Sequence, residues 1–232
     1  MVEAMNAMGY DALTVSQMEL ALGLKTIKQR EAEAKFSFLS ANLVRPGDNQ
    51  PFFRPYVVLE RQGVHIGIIG LSEPEASQTP GVEDQVTVLD PTETARRYVG
   101  ELRAKVDMLI VLSHLGVDAD KALAQAVPGI DIIVGGNTRQ LMRMPEQVGN
   151  TLIVQQGYRG EWVGRLQATY DTQGVPSAFT EEMITLTSDF RDDPEVAALV
   201  KKWAEQFPTP TSEPTVAPTE EPATEATPTA KP

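Results

Sequence analysis

Residues 108–116 read Met108-Leu109-Ile110-Val111-Leu112-Ser113-His114-Leu115-Gly116. Five apolar side chains in a row describe a strand covered on both faces, and Ser, His and Gly describe the polar loop that follows it. Three further runs have the same character. Val64-His65-Ile66-Gly67-Ile68-Ile69-Gly70 precedes this stretch, and Ile130-Asp131-Ile132-Ile133-Val134-Gly135 and Thr151-Leu152-Ile153-Val154-Gln155 follow it. Amphipathic segments lie between them. Asp90-Pro91-Thr92-Glu93 opens a helix, with Asp as N-cap, Pro at the first helical position and Glu three residues after the cap. Ala95, Val99 and Leu102 repeat at helical spacing up to about Lys105, and Asp118 to Ala126 gives a second helix stopped near Pro128-Gly129. Alternating strands and helices predict a layered α/β domain.

Three more elements extend this frame. A helix is expected near Leu20 to Lys28. Arg165 to Tyr170 reads as a strand entering a turn at Asp171-Thr172-Gln173-Gly174, and Asp193 to Phe207 reads as a final helix. From Pro208 to Pro232 the chain contains seven Pro and seven Thr, with Val216 as its one large aliphatic residue. Such a segment buries too little apolar surface to offset its ordering entropy, so a disordered tail is expected over 208–232 beside a domain over 1–207. Thr-Pro composition fits either an extracytoplasmic stalk or a plain solubilising tail.

Composition narrows the function classes. The chain of 232 residues carries a net charge of -12, which argues against a broad nucleic-acid surface. It has no cysteine, so disulfides, thiolate metal sites and cysteine nucleophiles are excluded together. No run of about 18 apolar residues occurs, so no transmembrane helix is expected. The first residues lack the basic start and apolar stretch of a signal peptide.

In open α/β sheets, ligands gather at the carboxyl ends of the strands. Three loops occupy such places: Ser113-His114-Leu115-Gly116, Gly135-Gly136-Asn137-Thr138-Arg139, and Gln155-Gln156-Gly157-Tyr158-Arg159-Gly160. Asn42, Asp118 and Gln156 are expected near the rim of the same region. His65 reads as a partly exposed or hydrogen-bonded structural residue, and Tyr158 and Trp162 as core packing.

The order of these motifs resembles the metallophosphatase (calcineurin-like phosphoesterase) domain of the 5'-nucleotidase and 2',3'-cyclic-nucleotide phosphodiesterase family. Met8-Gly9-Tyr10-Asp11-Ala12-Leu13-Thr14-Val15 is similar to the family's approach to its Asn-His-Glu motif. Phe38-Leu39-Ser40-Ala41-Asn42-Leu43 and the strand at Gly63 to Leu71 follow in the family's order. Val111 to Gly116 resembles the Ser-His-Leu-Gly metal motif, and Pro128 to Arg139 resembles the motif ending Gly-Gly-His-Thr-His. The similarity spans roughly Met5 to Thr169. It implies a metallophosphoesterase-like β-sandwich flanked by helices, and a pair of divalent metals (Mn, Zn, Fe or Mg) that activates water and neutralises phosphoryl oxygens.

The chain departs from the family at the chemistry. The family's first two ligand motifs have no counterpart, so the resemblance implies an N-terminal truncation. Ser16-Gln17-Met18-Glu19 stands where the family has Gly-Asn-His-Glu, and Asn137 and Arg139 stand where it has histidines. Gln17 and Met18 thus occupy catalytic positions with the wrong chemistry. His114 alone remains at a position where the resemblance implies a metal ligand. Arg139 suits direct gripping of phosphate or carboxylate, so Arg139, Asn137, Asn42 and Gln156 are the ligand-binding candidates. Glu19 reads as a helix-start residue.

Several functions stay open at this point. Kinship implies a phosphoester hydrolase, weakly active or inactive, with no cofactor expected unless the metal set is completed. The alternatives are a non-catalytic extracytoplasmic binding or interaction module, half of a split hydrolase completed by upstream sequence, or different chemistry on the same fold. A phosphorylated small molecule is the expected ligand. A partner or upstream segment is expected to cover an exposed sheet edge.

Overall fold

The computed structural model describes residues 1–170 and 176–207. In chain order these residues form α1 (Val2–Ala7), β1 (Ala12–Thr14), α2 (Gln17–Leu20), α3 (Leu24–Glu33), β2 (Ser37–Leu39), β3 (Leu43–Val44), β4 (Tyr56–Arg61) and β5 (Val64–Leu71). They continue with β6 (Thr87–Val88), α4 (Pro91–Leu102), β7 (Met108–Ser113), α5 (Val117–Ala126), β8 (Ile132–Gly135), β9 (Glu146–Val148) and β10 (Thr151–Val154). Last come β11 (Trp162–Tyr170), β12 (Pro176–Thr185) and α6 (Pro194–Gln206). The expected tail at 208–232 and the expected turn at 171–174 lie outside the described residues.

The four apolar runs pair as one sheet of order β4-β5-β7-β8-β10-β9. Neighbours β5, β7, β8 and β10 run parallel, with Ile69 opposite Val111 and Val111 opposite Ile133. The parallel run needs crossovers, and α4 and α5 supply them. Asp90 caps α4 as its sequence predicts, its side chain accepting from Glu93 N–H at 2.8 Å. Leu109, Val111, Ile133 and Ile153 project under these helices and are completely buried, packing with Val99, Leu102 and Leu123 in one core. Burial of each such side chain contributes about 1.5–3 kcal/mol.

The opposite face of the sheet corrects one expectation. The runs read as strands covered on both faces, yet Ile66, Ile110, Val134 and Val154 are only half-buried. They line a trough of about 710 Å³ whose other wall is the β11–β12 hairpin, including Trp162, Leu166 and Met183. Only the helix side is closed.

A second core forms from the first third of the chain. Met5, Val15, Leu20, Ile27, Phe36, Phe38 and Phe53 pack around the short parallel pair β1–β2. The single helix expected near Leu20 to Lys28 is instead two, α2 and α3. They break at Gly23, whose φ of 78° is cheap only for glycine. This unit is pressed onto the main sheet at Gly70. A Cβ there would lie 2.6 Å from the Leu39 Cβ, and the Gly70 carbonyl accepts from Ala41 N–H at 2.8 Å. The close approach sets α2 over the carboxyl end of β5. The expected layered architecture is therefore present as a mixed sheet flanked by helices.

Candidate functional site

The carboxyl ends of β5, β7 and β8 lie side by side, and α2 closes the space above them. Ser16 caps α2, and Glu19 returns the bond in a capping box, its Oε2 accepting from Ser16 N–H at 2.9 Å. This is the helix-start role expected of Glu19. Glu73, two residues beyond β5, reaches back to α2. Its Oε1 accepts from Gln17 N–H at 2.7 Å, and its Oε2 accepts from the His114 Nδ1 at 2.8 Å. Glu73 is 3% exposed, so its charge is held by a backbone N–H and an imidazole rather than by water.

His114 is held from both ends. Its N–H donates to Leu71 O at 3.0 Å, and its carbonyl accepts from the Asn137 side chain at 3.1 Å. Burial works against the charged imidazolium. The hydrogen bond and charge of Glu73, aided by Glu19 and Asp120, outweigh it and raise the His114 pKa. The loop after β8 is bent back over the ring by a three-residue turn in which Thr138 N–H donates to Gly136 O at 2.8 Å. Asn137 and Arg139 there take positive φ of 66° and 57°, a conformation costly for side chains other than glycine.

The result is a pocket of about 570 Å³ between Gln17, Met18, Glu73, His114, Asn137 and Arg139. At its mouth the Arg139 guanidinium lies 4.5 Å above the Tyr158 ring, and Arg159 lies 5.3 Å from the same ring. Tyr158 is exposed, which corrects its reading as core; it serves as a shelf for two cations. Trp162 lines the trough instead.

Beneath the pocket, Asp120 is fully buried and bonds Ser113 Oγ, while its Oδ2 has no partner among the described residues. Burial pushes its pKa up to about 6, against the lowering effect of Ser113 and of the His114 charge.

Three expected rim residues are placed elsewhere. Asn42 is completely buried. Its amide is consumed by the Ser72 carbonyl at 2.8 Å and the Ser72 N–H at 2.9 Å, a knot that ties the two cores together. Gln156 lines the trough, and Asp118 is exposed on the first turn of α5. His65 bonds Asp107 at the amino end of β5, in the structural role expected of it. Glu73 is the residue that sequence reasoning missed. The strand-end rule, applied to the run at Val64 to Gly70, leads straight to Leu71-Ser72-Glu73.

The described residues do not fit a metal pair. No group of three or more His, Asp or Glu side chains converges to hold a cation. The Nδ1 of His114 and both oxygens of Glu73 are already committed, the Asn137 amide serves the His114 carbonyl, and Arg139 brings a fixed positive charge. What these groups offer instead is a cationic mouth, and an imidazole whose Nε2 makes no hydrogen bond among the described residues.

No family model matches the chain. It is 31% identical over 229 residues to the 5'-nucleotidase of Rattus norvegicus, covering 86% of this chain and 39% of that protein. It is 26% identical to the protein UshA of Yersinia enterocolitica, covering 87% and 46%. The crystal structure of a 5'-nucleotidase precursor from Thermus thermophilus superposes with a TM-score of 0.79 at 31% identity, covering 87% of this chain and 44% of that one. The chain thus spans less than half the length of these relatives. The calcineurin-like phosphoesterase YfkN of Bacillus subtilis has the same fold, with a TM-score of 0.77 at 22% identity. By sequence and by fold, most of the chain is similar to part of the 5'-nucleotidases, and it shares its fold with a calcineurin-like phosphoesterase.

Proposed function

We propose that residues 1–207 form a phosphoesterase-like domain whose pocket binds a phosphorylated small molecule and hydrolyses it weakly or not at all. The observation that carries this reading is Arg139 at the mouth of the His114 pocket, where the family resemblance implies a metal ligand. A guanidinium offers five N–H donors in a fixed fork that matches phosphate oxygens, so it substitutes for part of a metal's charge. Gln17 and Met18 stand where the resemblance implies an Asn and a His for catalysis, and Met18 has no group that can transfer a proton. Arg139 and Asn137 are the ligand-binding residues in this reading, and His114 is the surviving residue of the metal set. An extracytoplasmic place agrees with the Thr-Pro composition of 208–232. No helix among the described residues is long and apolar enough to cross a membrane.

Thermal unfolding tests the binding. A phosphomonoester is expected to raise the Tm of the wild-type chain and to leave the Tm of Arg139→Ala unmoved. Equal shifts in both proteins remove Arg139 from the site.

The apolar trough supports a second reading, an interaction module or one part of a split hydrolase. Ile66, Ile110, Val134 and Val154 present an aliphatic surface that a second polypeptide segment would cover. A photo-crosslinking residue at Val134, read by mass spectrometry in the native host, tests it. Crosslinks confined to the β11–β12 hairpin of the same chain defeat this reading.

A further inference from the structure

We propose that Gln155 is the positioning residue of the anion site: its buried carboxamide straddles Arg139 and holds the guanidinium over Tyr158, ready for a phosphate group. This rests on the reading of the pocket as a phosphate-binding site. Gln155 stands directly after β10 and is 2% exposed. Its Oε1 accepts from Thr138 Oγ1 at 3.1 Å, and its Nε2 donates to Gln140 O at 3.0 Å. A carbonyl can only accept, so Gln140 O takes the nitrogen of the amide and leaves the oxygen for Thr138. The two bonds grip the residues on either side of Arg139. The backbone adds a third, as Gln155 O accepts from Met142 N–H at 3.0 Å, beside an antiparallel bridge between Leu141 and Gln156.

The loop needs this hold. Asn137, Thr138, Arg139 and Gln140 are all exposed, so apolar burial does not fix them. Hydrogen bonds from the Asn137 side chain and from Thr138 N–H secure the chain before Arg139; beyond it, the grip on Gln140 and Met142 comes from Gln155. Arg139 takes a φ of 57°, which a side chain other than glycine keeps only where its surroundings over-determine it. Room for the carboxamide comes from Gly135, where a Cβ would lie 3.2 Å from Gln155 Oε1. The same strand end runs on to Tyr158, whose ring carries the Arg139 guanidinium at 4.5 Å. Gln155 thus stands at the root of both halves of the stack. An arginine on a loose loop has to be ordered when it binds an anion, whereas one held in advance does not, and the difference appears as affinity. Gln155 itself touches no anion and acts through Arg139.

The test is a double-mutant cycle on the full chain in excess EDTA. Inorganic phosphate is the probe, and phosphorus NMR is the readout because it also reaches weak binding. Gln155→Met keeps the length of the side chain and removes both of its hydrogen bonds. In the wild-type background it is expected to weaken phosphate binding by about tenfold, the effect of having to order one long side chain. In the Arg139→Ala background it is expected to change binding by less than about twofold. Thr138→Val alters an exposed residue and removes one of the two bonds. It should weaken binding by about threefold with the same dependence on Arg139, and it decides the matter if Gln155→Met does not fold. Equal losses in both backgrounds would make the role of Gln155 purely structural and overturn the proposal. Unchanged affinity in Gln155→Met overturns it too and leaves the phosphate site standing. Failure of the wild-type chain to bind phosphate, or equal binding by Arg139→Ala, overturns the underlying reading as well.

Discussion

Two depressions among the described residues lie on one sheet and differ in kind. The trough of about 710 Å³ is larger, and its walls are mostly aliphatic and aromatic, with Arg61, Glu181 and three glutamines among them. The pocket of about 570 Å³ at the strand ends is smaller, and its walls bring together the carboxylates of Glu73 and Glu75, an imidazole and a guanidinium. A large apolar concavity is the usual first candidate for a ligand site. Here size and chemistry separate. The trough lies between one face of the mixed sheet and the β11–β12 hairpin, whereas the pocket is assembled from three strand ends and a capped helix. Convergence of charge is the better guide.

The residues Ile133 and Val134 sharpen that contrast, because they are neighbours on β8 that point to opposite faces. Ile133→Ala removes a completely buried side chain from beneath the helices, and a loss of about 3 kcal/mol in chemical denaturation is expected. A loss below about 1 kcal/mol would mean that the helix side is no better packed than the trough.

The next effect is a dependence on pH beneath the pocket. Asp120 has a native pKa of about 6, above the usual carboxylate value of 3.8. Between those values the native state holds a proton that the unfolded state has released. Stability attributable to this group is therefore full below about pH 4 and is lost as pH rises through about 6, by up to about 3 kcal/mol. Asp120→Asn should flatten the stability–pH curve in that window when denaturation midpoints are compared. A curve as steep as that of wild type would show that Asp120 titrates normally.

Smaller effects follow. Ser16→Ala should cost about 1 kcal/mol by removing the cap of α2, and should loosen the Gln17 N–H that holds Glu73. Hydrogen exchange of the Gln17 amide reports this directly. Val134→Ala, on the trough side, should cost less than about 1 kcal/mol because its surroundings are only half closed. A cost equal to that of Ile133→Ala would show the trough to be a packed core.

Much of this frame is legible in the sequence, for physical reasons particular to each part. The runs at 64–70, 108–113, 130–135 and 151–155 announce strands because β-branched and aliphatic residues recur without polar interruption. Asp90-Pro91 announces α4 because cap and first turn need those residue types. The break at Gly23 is hidden, because helical spacing continues across it and only the sign of φ ends the helix. The openness of one sheet face is hidden too. Ile110 and Val111 are equally apolar, and nothing in either tells which side a helix will cover. At the site, His114, Asn137 and Arg139 are found by the strand-end rule and do share a pocket. Asn42 is misplaced by the same rule, since an amide beside a strand end serves a buried knot as well as a rim. Glu73 lies within reach of the strand-end rule, but its partnership with His114, 41 residues on, is hidden, because only the parallel pairing of β5 with β7 brings them together.

The central claim is that the smaller, charged pocket binds a phosphate group through Arg139 without a metal. Isothermal titration calorimetry of inorganic phosphate into the full chain, in excess EDTA, tests it most directly. Wild type should bind with a measurable heat, and Arg139→Ala should bind at least about tenfold more weakly, the loss of one charge-assisted contact. Equal binding by both proteins, or binding by wild type only after a divalent metal is restored, would contradict it.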